Sequence, residues 1–241
     1  MHGTYGEDVA FQGLCEILGM KYVGSGVLAS AVAMDKSFAK PIFESHGLKV
    51  APGVVVTSID IDANSLTYPV FVKPARGGSS RGTSKVKAAS GLHSAITEAL
   101  RFDEKVMIEQ AIVGREIECA VLEVNGVATA SPLTEVKVLG KHDFYDFEAK
   151  YLDGSTEFID PTDLPGDTYR QIQESAVKAF NALGCQGLAR VDFFFAADGI
   201  YINEINTLPG FTSTSVYPKL WQQAGVSYTD LISRLIESAL Q

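Results

Sequence analysis

The residues with the clearest chemical content fall in one stretch, 187–215. It contains Arg190-Val-Asp192, then Asn203-Glu204-Ile-Asn206, then Pro209-Gly210 and Ser215. Side chains alternate along a strand, so Arg190 and Asp192 share one face of an apolar, aromatic run over 188–195. Ala197-Asp198-Gly199 is a turn signal, and Glu204 and Asn206 share one face of the strand that returns from Ile200. Whether the two faces coincide depends on register. A two-residue turn at Asp198-Gly199 pairs Asp192 with Ile205 and sends the polar groups to opposite sides. A three-residue loop, 197–199, with Gly199 left-handed, pairs Asp192 with Glu204 and Arg190 with Asn206. The second register is preferred, because it gathers costly polar groups in one place. Two carboxylates and a carboxamide oxygen then converge, as a hard divalent cation requires. Mg²⁺ takes one or two carboxylates and completes its shell with water and phosphates, so the set points to a metal–nucleotide site. The alternative is an ordinary hairpin with a polar, wet face.

A second group of residues could hold anions. The run 68–73 reads as a short buried strand that delivers Lys73 at its end. A loop follows, Ala75-Arg76-Gly77-Gly78-Ser79-Ser80-Arg81-Gly82, and then Lys85 and Lys87. Glycines let backbone approach a phosphate, and successive N–H groups and hydroxyls donate to its oxygens. Lys73, Arg76, Arg81, Lys85 and Lys87 make a basic patch in a chain whose net charge is −9. That overall charge argues against general nucleic-acid or anionic-membrane binding and makes any anion site local. The loop matches neither the P-loop nor the dinucleotide fingerprint; a flexible exposed hairpin is its alternative reading.

The remaining elements must position these groups. At 241 residues, 46% hydrophobic, the chain suits one large or two small domains. Cys15, Cys119 and Cys185 stand far apart, as buried thiols of a reduced, cytoplasmic protein would. No apolar run is long enough to span a bilayer. Phe11, Leu14, Ile17 and Leu18 fit one face of a first helix, and 21–23 reads as a strand. A second helix runs over 25–40 with Met34-Asp35-Lys36 inside it. Strands are expected at 54–56, 106–110 and 116–123, and Asn125-Gly126 turns the last into a hairpin. Glu109 ends a strand and Glu116 begins one; alone, each reads as a solvated charge. The polar, aromatic segment 139–166 suits a lid. Asp167 caps a helix through Leu183, stopped by Gly184, and Ser227 starts the last helix.

The order of these pieces resembles the ATP-grasp superfamily, and within it the D-alanine–D-alanine ligase family. The matching motifs are His-Gly-x-x-Gly-Glu-Asp at 2–8, Gly-Ser-Gly at 24–26 and Met-Asp-Lys at 34–36. Further along come Lys-Pro-x-x-x-Gly-Ser-Ser-x-Gly at 73–82, Tyr-Asp-Phe-Glu-Ala-Lys-Tyr at 145–151 and Asn-Glu-Ile-Asn-Thr-Leu-Pro-Gly-Phe-Thr at 203–212. The resemblance implies an α/β (α+β) ATP-grasp fold with nucleotide held between two subdomains. Residues 1–24 would be the remnant of an N-terminal Rossmann-like substrate domain. Residues 25–110 would be the central subdomain, and 111–241 the C-terminal one, with the lid and metal site.

The family reaction joins two D-alanines through a D-alanyl phosphate formed from ATP, for peptidoglycan precursors. By resemblance, Asp192, Glu204 and Asn206 are the Mg²⁺ (or Mn²⁺) ligands. Lys36, Lys73 and Lys150 contact the nucleotide, with Glu109 beside the adenine, Glu116 on the ribose, and Asn203 also in the nucleotide site. Arg190 and the Gly210 N–H stabilise the oxyanion. Ser79, Tyr151 and Glu7 form a trio that closes the lid. Ser215 meets the second substrate's carboxylate, and His2 lies near the substrates. Tyr151 goes with an amine nucleophile, which favours D-alanine as second substrate and leaves D-serine possible. A homodimer is implied. Family members carry an α/β portion upstream of His2 that supplies an early glutamate for the first substrate, so a catalytically impaired nucleotide-binding remnant is the alternative. Arg81 stands where the family usually has an apolar residue.

Overall fold

The computed structural model describes residues 9–139 and 156–240. Two antiparallel sheets organise them. The larger is five-stranded. β5 (Gly114–Val124) and β6 (Val127–Val138) form its centre, joined at Asn125-Gly126, where both residues take positive φ (54° and 74°). That is the backbone a two-residue primed turn demands, and Asn-Gly supplies it cheaply. β8 (Leu188–Ala196) and β9 (Gly199–Asn206) extend the sheet on one side, and β7 (Thr156–Ile159) on the other, in the order β7-β6-β5-β8-β9.

Both faces of the larger sheet are covered, so β5 is apolar on both. Ile117, Cys119 and Val121 face one core, and Ala120 and Leu122 the other. On the first face lies α5 (Gly166–Ala182), which buries Ile172, Ala176, Ala179 and Phe180 at the spacing of one helical stripe. α2 (Val27–Met34) and α3 (Lys36–Ser45) join that core through Ala29, Ala33, Ala39 and Phe43. On the second face α6 (Val216–Gln223) and α7 (Tyr228–Leu240) bring Tyr217, Leu220, Trp221, Leu231 and Leu235. The Tyr217 hydroxyl donates to the Val121 carbonyl at 3.0 Å.

The smaller sheet has the order β1-β4-β2-β3. Its strands are β1 (Gly53–Val56), β2 (Val70–Pro74), β3 (Ser84–Val86) and β4 (Val106–Gln110). α4 (Leu92–Ala99) packs Leu92, Ala95, Ile96 and Ala99 against Val70, Val72, Val106 and Ile108. The alternation of strand side chains sends Phe71, Lys73, Met107 and Glu109 to the opposite face. In the register Phe71↔Glu109 and Lys73↔Met107, Lys73 and Glu109 are diagonal neighbours.

Several expectations need correction. Residues 21–23 form no strand. The single helix over 25–40 is two helices, broken at Asp35 in extended conformation (φ −92°, ψ 97°), whose carboxylate accepts the Ser37 N–H. Asp167 is not a cap: Pro165 occupies the cap position, and Asp167 sits in the first turn, paired with Arg170 at 2.5 Å. α6 was not anticipated. In α1 (Ala10–Leu18) the apolar stripe Phe11, Leu14, Ile17 and Leu18 is exposed, whereas Gln12 and Cys15 turn inward. Periodicity shows that a helix has an apolar face but not what that face meets.

Two substitutions test this packing. Phe180→Ala, at a fully buried ring, should cost about 3–5 kcal/mol in denaturant unfolding. At Gly114 an added Cβ would lie 2.5 Å from the Phe195 carbonyl oxygen, in backbone that cannot rotate away. Gly114→Ala should therefore destabilise by about 1–3 kcal/mol.

Candidate active site

The β8–β9 hairpin sets the polar cluster. Its register pairs Asp192 with Glu204 and Arg190 with Asn206, as expected, but by a different device. Ala196 pairs with Gly199, so the turn is only Ala197-Asp198, while Gly199 has the positive φ expected of it, 135°. Pairing then proceeds through Phe193↔Ile202 and skips Asn203. Asn203 is thus the extra residue of a β-bulge, and a bulge re-aims side chains. Ile202 and Ile205, three residues apart, both enter the core, while Asn203 and Glu204, adjacent in sequence, both line one cavity.

The charges at this bulge are tightly coupled. Arg190 donates from Nε and Nη2 to the two oxygens of Asp192, each at 2.7 Å. Asn206 Nδ2 donates to Asp192 Oδ2 at 3.1 Å. Glu118, opposite Asp192 on β5, reaches Arg190 Nε at 3.3 Å. Burial opposes the Arg190 charge, but Asp192, Glu118 and Glu204 outweigh it and hold the guanidinium firmly protonated. Lys36 pairs with Glu204 at 3.0 Å and donates to the Gly77 carbonyl at 2.9 Å. Burial opposes its charge too, and Glu204, Glu109 and Asp192 raise its pKa nonetheless.

Asp192 and Glu204 with the Asn206 amide oxygen offer the hard donors a divalent cation prefers. Among the described residues no three His, Cys, Asp or Glu side chains gather into a metal cage. The set therefore fits a cation whose shell is completed from outside the protein, as phosphates and water would do.

A lysine bank faces this cluster. Glu109, only 3% exposed, is paired with both Lys40 and Lys73, the latter at 2.6 Å. Burial pushes Glu109 up, but Lys73 and Lys40 outweigh it and draw its pKa from 4.5 to about 2. Lys73 also lies 3.4 Å from Asn203 Oδ1. In the glycine loop Ser79 and Ser80 take left-handed φ (54° and 56°). Gly82 (φ 69°) lies against Phe102, whose ring would be 2.6 Å from an added Cβ.

Arg76 does not join the expected basic patch. Its guanidinium is bound to Asp103 at 2.6 Å and Glu104 at 3.0 Å, and its N–H donates to Asp103 at 2.7 Å. Arg81 and Lys85 line the cavity, and Lys87 does not.

Two cavities adjoin at the cluster. One, of about 550 Å³, is lined by Lys36, Lys73, Ser79, Glu109, Glu116, Asn203 and Glu204. The other, of about 450 Å³, is lined by Arg190, Asn206, Gly210 and Ser215. Lys36, Gly77, Gly78, Ser79 and Glu204 line both. Asp192 is 4% exposed and lines neither cavity, although its partners Arg190 and Asn206 line the second. An added Cβ at Gly210 would be 3.0 Å from Ser215 Oγ, which accepts the Thr212 N–H at 3.0 Å, so a side chain there would press on the hydroxyl that ties this loop.

His2, Glu7, Lys150 and Tyr151 lie outside the described residues. Sequence reasoning missed Lys40 and Glu118 as members of the charge cluster. Lys40 stands four residues after Lys36, on the same helical face. Glu118 shares a strand face with Glu116. Those spacings were the available signals.

Glu109 carries a pH signature. Its folded pKa lies below the ordinary one, so the stability it contributes is complete above pH 4.5 and is lost as pH falls toward about 2. At full strength that is about 3 kcal/mol. Glu109→Gln should flatten the fall in unfolding free energy over that window, measured by denaturant titration at a series of pH values.

Comparisons with known proteins identify the family. The family described as "D-ala D-ala ligase C-terminus" matches residues 42–237. The D-alanine–D-alanine ligase of Paenarthrobacter aurescens strain TC1 is 51% identical over 254 residues, covering 100% of this chain and 67% of the relative. The solved VanG D-Ala:D-Ser ligase from Enterococcus faecalis aligns with TM-score 0.88 and 36% identity, covering 99% of this chain and 71% of that one. The D-alanine–D-alanine ligase from Bacillus anthracis, solved in complex with ATP, aligns with TM-score 0.84 and 30% identity, covering 100% and 77%. The chain spans about two thirds of the length of the curated relatives it matches. On the family match over 42–237 and these relatives, the chain belongs to the D-alanine–D-alanine ligase family and has the ATP-grasp fold.

Proposed function

We propose that this chain handles ATP and D-alanine as a ligase that joins two D-alanines through a D-alanyl phosphate. One observation carries the reading: Lys36, Ser79 and Glu204 line both cavities, so a nucleotide in one and an amino acid in the other would meet at charged groups. The nucleotide would lie between a central unit, 25–110, and a C-terminal unit, 111–241. Lys36, Lys73 and the loop at Ser79 would hold its phosphates, with Glu116 toward the ribose and Glu109 and Asn203 at the cavity wall. Lys150 would reach the nucleotide from the lid. Asp192, Glu204 and Asn206 would hold a divalent cation, Mg²⁺ or Mn²⁺. When bound, it would neutralise charge that builds on a transferring phosphoryl group.

The protein's own groups do the rest. Arg190 and the Gly210 N–H would stabilise the oxyanion that forms when an amine attacks the acyl phosphate, and charge stabilisation of this kind is often the largest catalytic contribution. Ser215 would hold the second substrate's carboxylate, with His2 nearby. Ser79, Tyr151 and Glu7 would close the lid and exclude water. Tyr151 supports D-alanine over an oxygen nucleophile. D-serine is the variant reading, supported by the likeness to a D-Ala:D-Ser ligase. A small-molecule enzyme of the cytoplasm, homodimeric as the family implies, fits the net charge of −9 and three buried free thiols. Among the described residues no helix is long and apolar enough to cross a membrane.

Phosphate release from ATP with Mg²⁺, with and without D-alanine, tests the reading. Release that requires D-alanine, cut on the order of a hundredfold or more by Asp192→Asn, is the expected result. Mg-ATP binding without D-alanine-dependent release would favour a second reading, nucleotide binding without ligation.

A further inference from the structure

Lys40 has no place in the roles assigned so far. It lies one helical turn after Lys36 on α3, lines the larger cavity and is only 4% exposed. The titratable groups that face it are Glu109 from β4, Lys73 from β2 and Lys36 from its own helix. Its ammonium is paired with Glu109 Oε1, while Lys73 holds Oε2 of the same carboxylate at 2.6 Å. One buried anion therefore serves two cations.

Charge balance gives this sharing a purpose. A closed Lys73–Glu109 pair would be neutral and would offer an anion little. With Lys40 on the far oxygen, the trio carries one net positive charge. The side chain of Lys73 is 13% exposed against 6% for Lys40, so that charge is presented at Lys73. We propose that Lys40 is a positioning residue of the nucleotide site: it holds and neutralises Glu109 from behind, so that the charge of Lys73 stays available to phosphates. This assignment rests on the nucleotide reading above. Burial lowers the Lys40 pKa more than Glu109 raises it, with Lys73 and Lys36 adding to the drop, to about 8. The positive charge it supplies is present below that pH and fades above it, so affinity for a phosphate-bearing ligand should fall above pH 8.

The test is equilibrium binding of Mg-ATP and of adenosine to the whole chain. The set is wild type, Lys40→Met, Glu109→Gln and the double variant. Lys40→Met should weaken Mg-ATP on the order of tenfold, the loss of roughly one charge-assisted contact, and leave adenosine within about twofold. It should also abolish the decline of Mg-ATP affinity above pH 8. In the Glu109→Gln background, with no anion left to neutralise, removal of Lys40 should change Mg-ATP affinity by no more than about threefold. Equal losses for Mg-ATP and adenosine, or unchanged Mg-ATP affinity in Lys40→Met, would overturn the assignment. So would a large loss between Glu109→Gln and the double variant, which would mean direct phosphate contact. If Lys40→Met does not fold, that last comparison decides alone, since both variants lack the buried carboxylate. Failure of the wild-type chain to bind Mg-ATP would overturn the nucleotide reading and this assignment together.

Discussion

Charge compensation in the space between the two sheets governs the site. Four cations, Lys36, Lys40, Lys73 and Arg190, meet four anions, Glu109, Glu118, Asp192 and Glu204, and every one of these side chains is at most 21% exposed. A buried ion left without a partner costs several kcal/mol, so each constrains its neighbours. The eight groups come from α3, β2, β4, β5, β8 and β9, which means that six elements must be in place before all of them are satisfied. The cluster balances by itself. A polyanionic nucleotide would upset that balance, and a divalent cation arriving with it would restore part of it, which gives co-binding of metal and phosphates an electrostatic reason.

What delivers these charges is ordinary local chemistry. Strand alternation puts Lys73 and Glu109 on the face of the smaller sheet that α4 does not cover. The break at Asp35 is a longer-range device. Its carboxylate is ion-paired with Lys105, and the Lys36 N–H donates to the Ala75 carbonyl at 3.1 Å. The Ala75 N–H in turn donates to the Lys105 carbonyl at 2.9 Å. The start of α3, the root of the glycine loop and the approach to β4 are thereby tied in one knot. Lys36 faces the cavity because the helix restarts there.

Much of this was legible in the sequence where the cause was local. The facing of Asp192 and Glu204 follows from the cost of scattering polar groups, even though the hairpin reaches that register through a bulge rather than a wider turn. Asn125-Gly126 announces its hairpin outright. The misreadings share a different origin. Arg76 resembles its basic neighbours until Asp103, 27 residues away, claims it. The helix over 25–40 reads as continuous because the partner that stabilises its break, Lys105, stands 70 residues from Asp35. Lys40 looks like one more surface lysine until β4 brings Glu109 to it. Side-chain type and spacing specify a face; the partner on that face is chosen by tertiary structure.

The bulge at Asn203 makes the length of β9 part of the site. Between Ile202 and Asn206 the strand must send two isoleucines inward and three polar groups outward, an order that strict alternation cannot produce. A changed side chain at 203 alters one group. Loss of residue 203 would remove the bulge and leave strict alternation, with Ile202 and Ile205 still inward and Glu204 still toward the cavity, but the second polar group beside Glu204 would be gone. At this strand one residue beyond the pleat's count gives the cavity two adjacent polar groups where alternation would allow one.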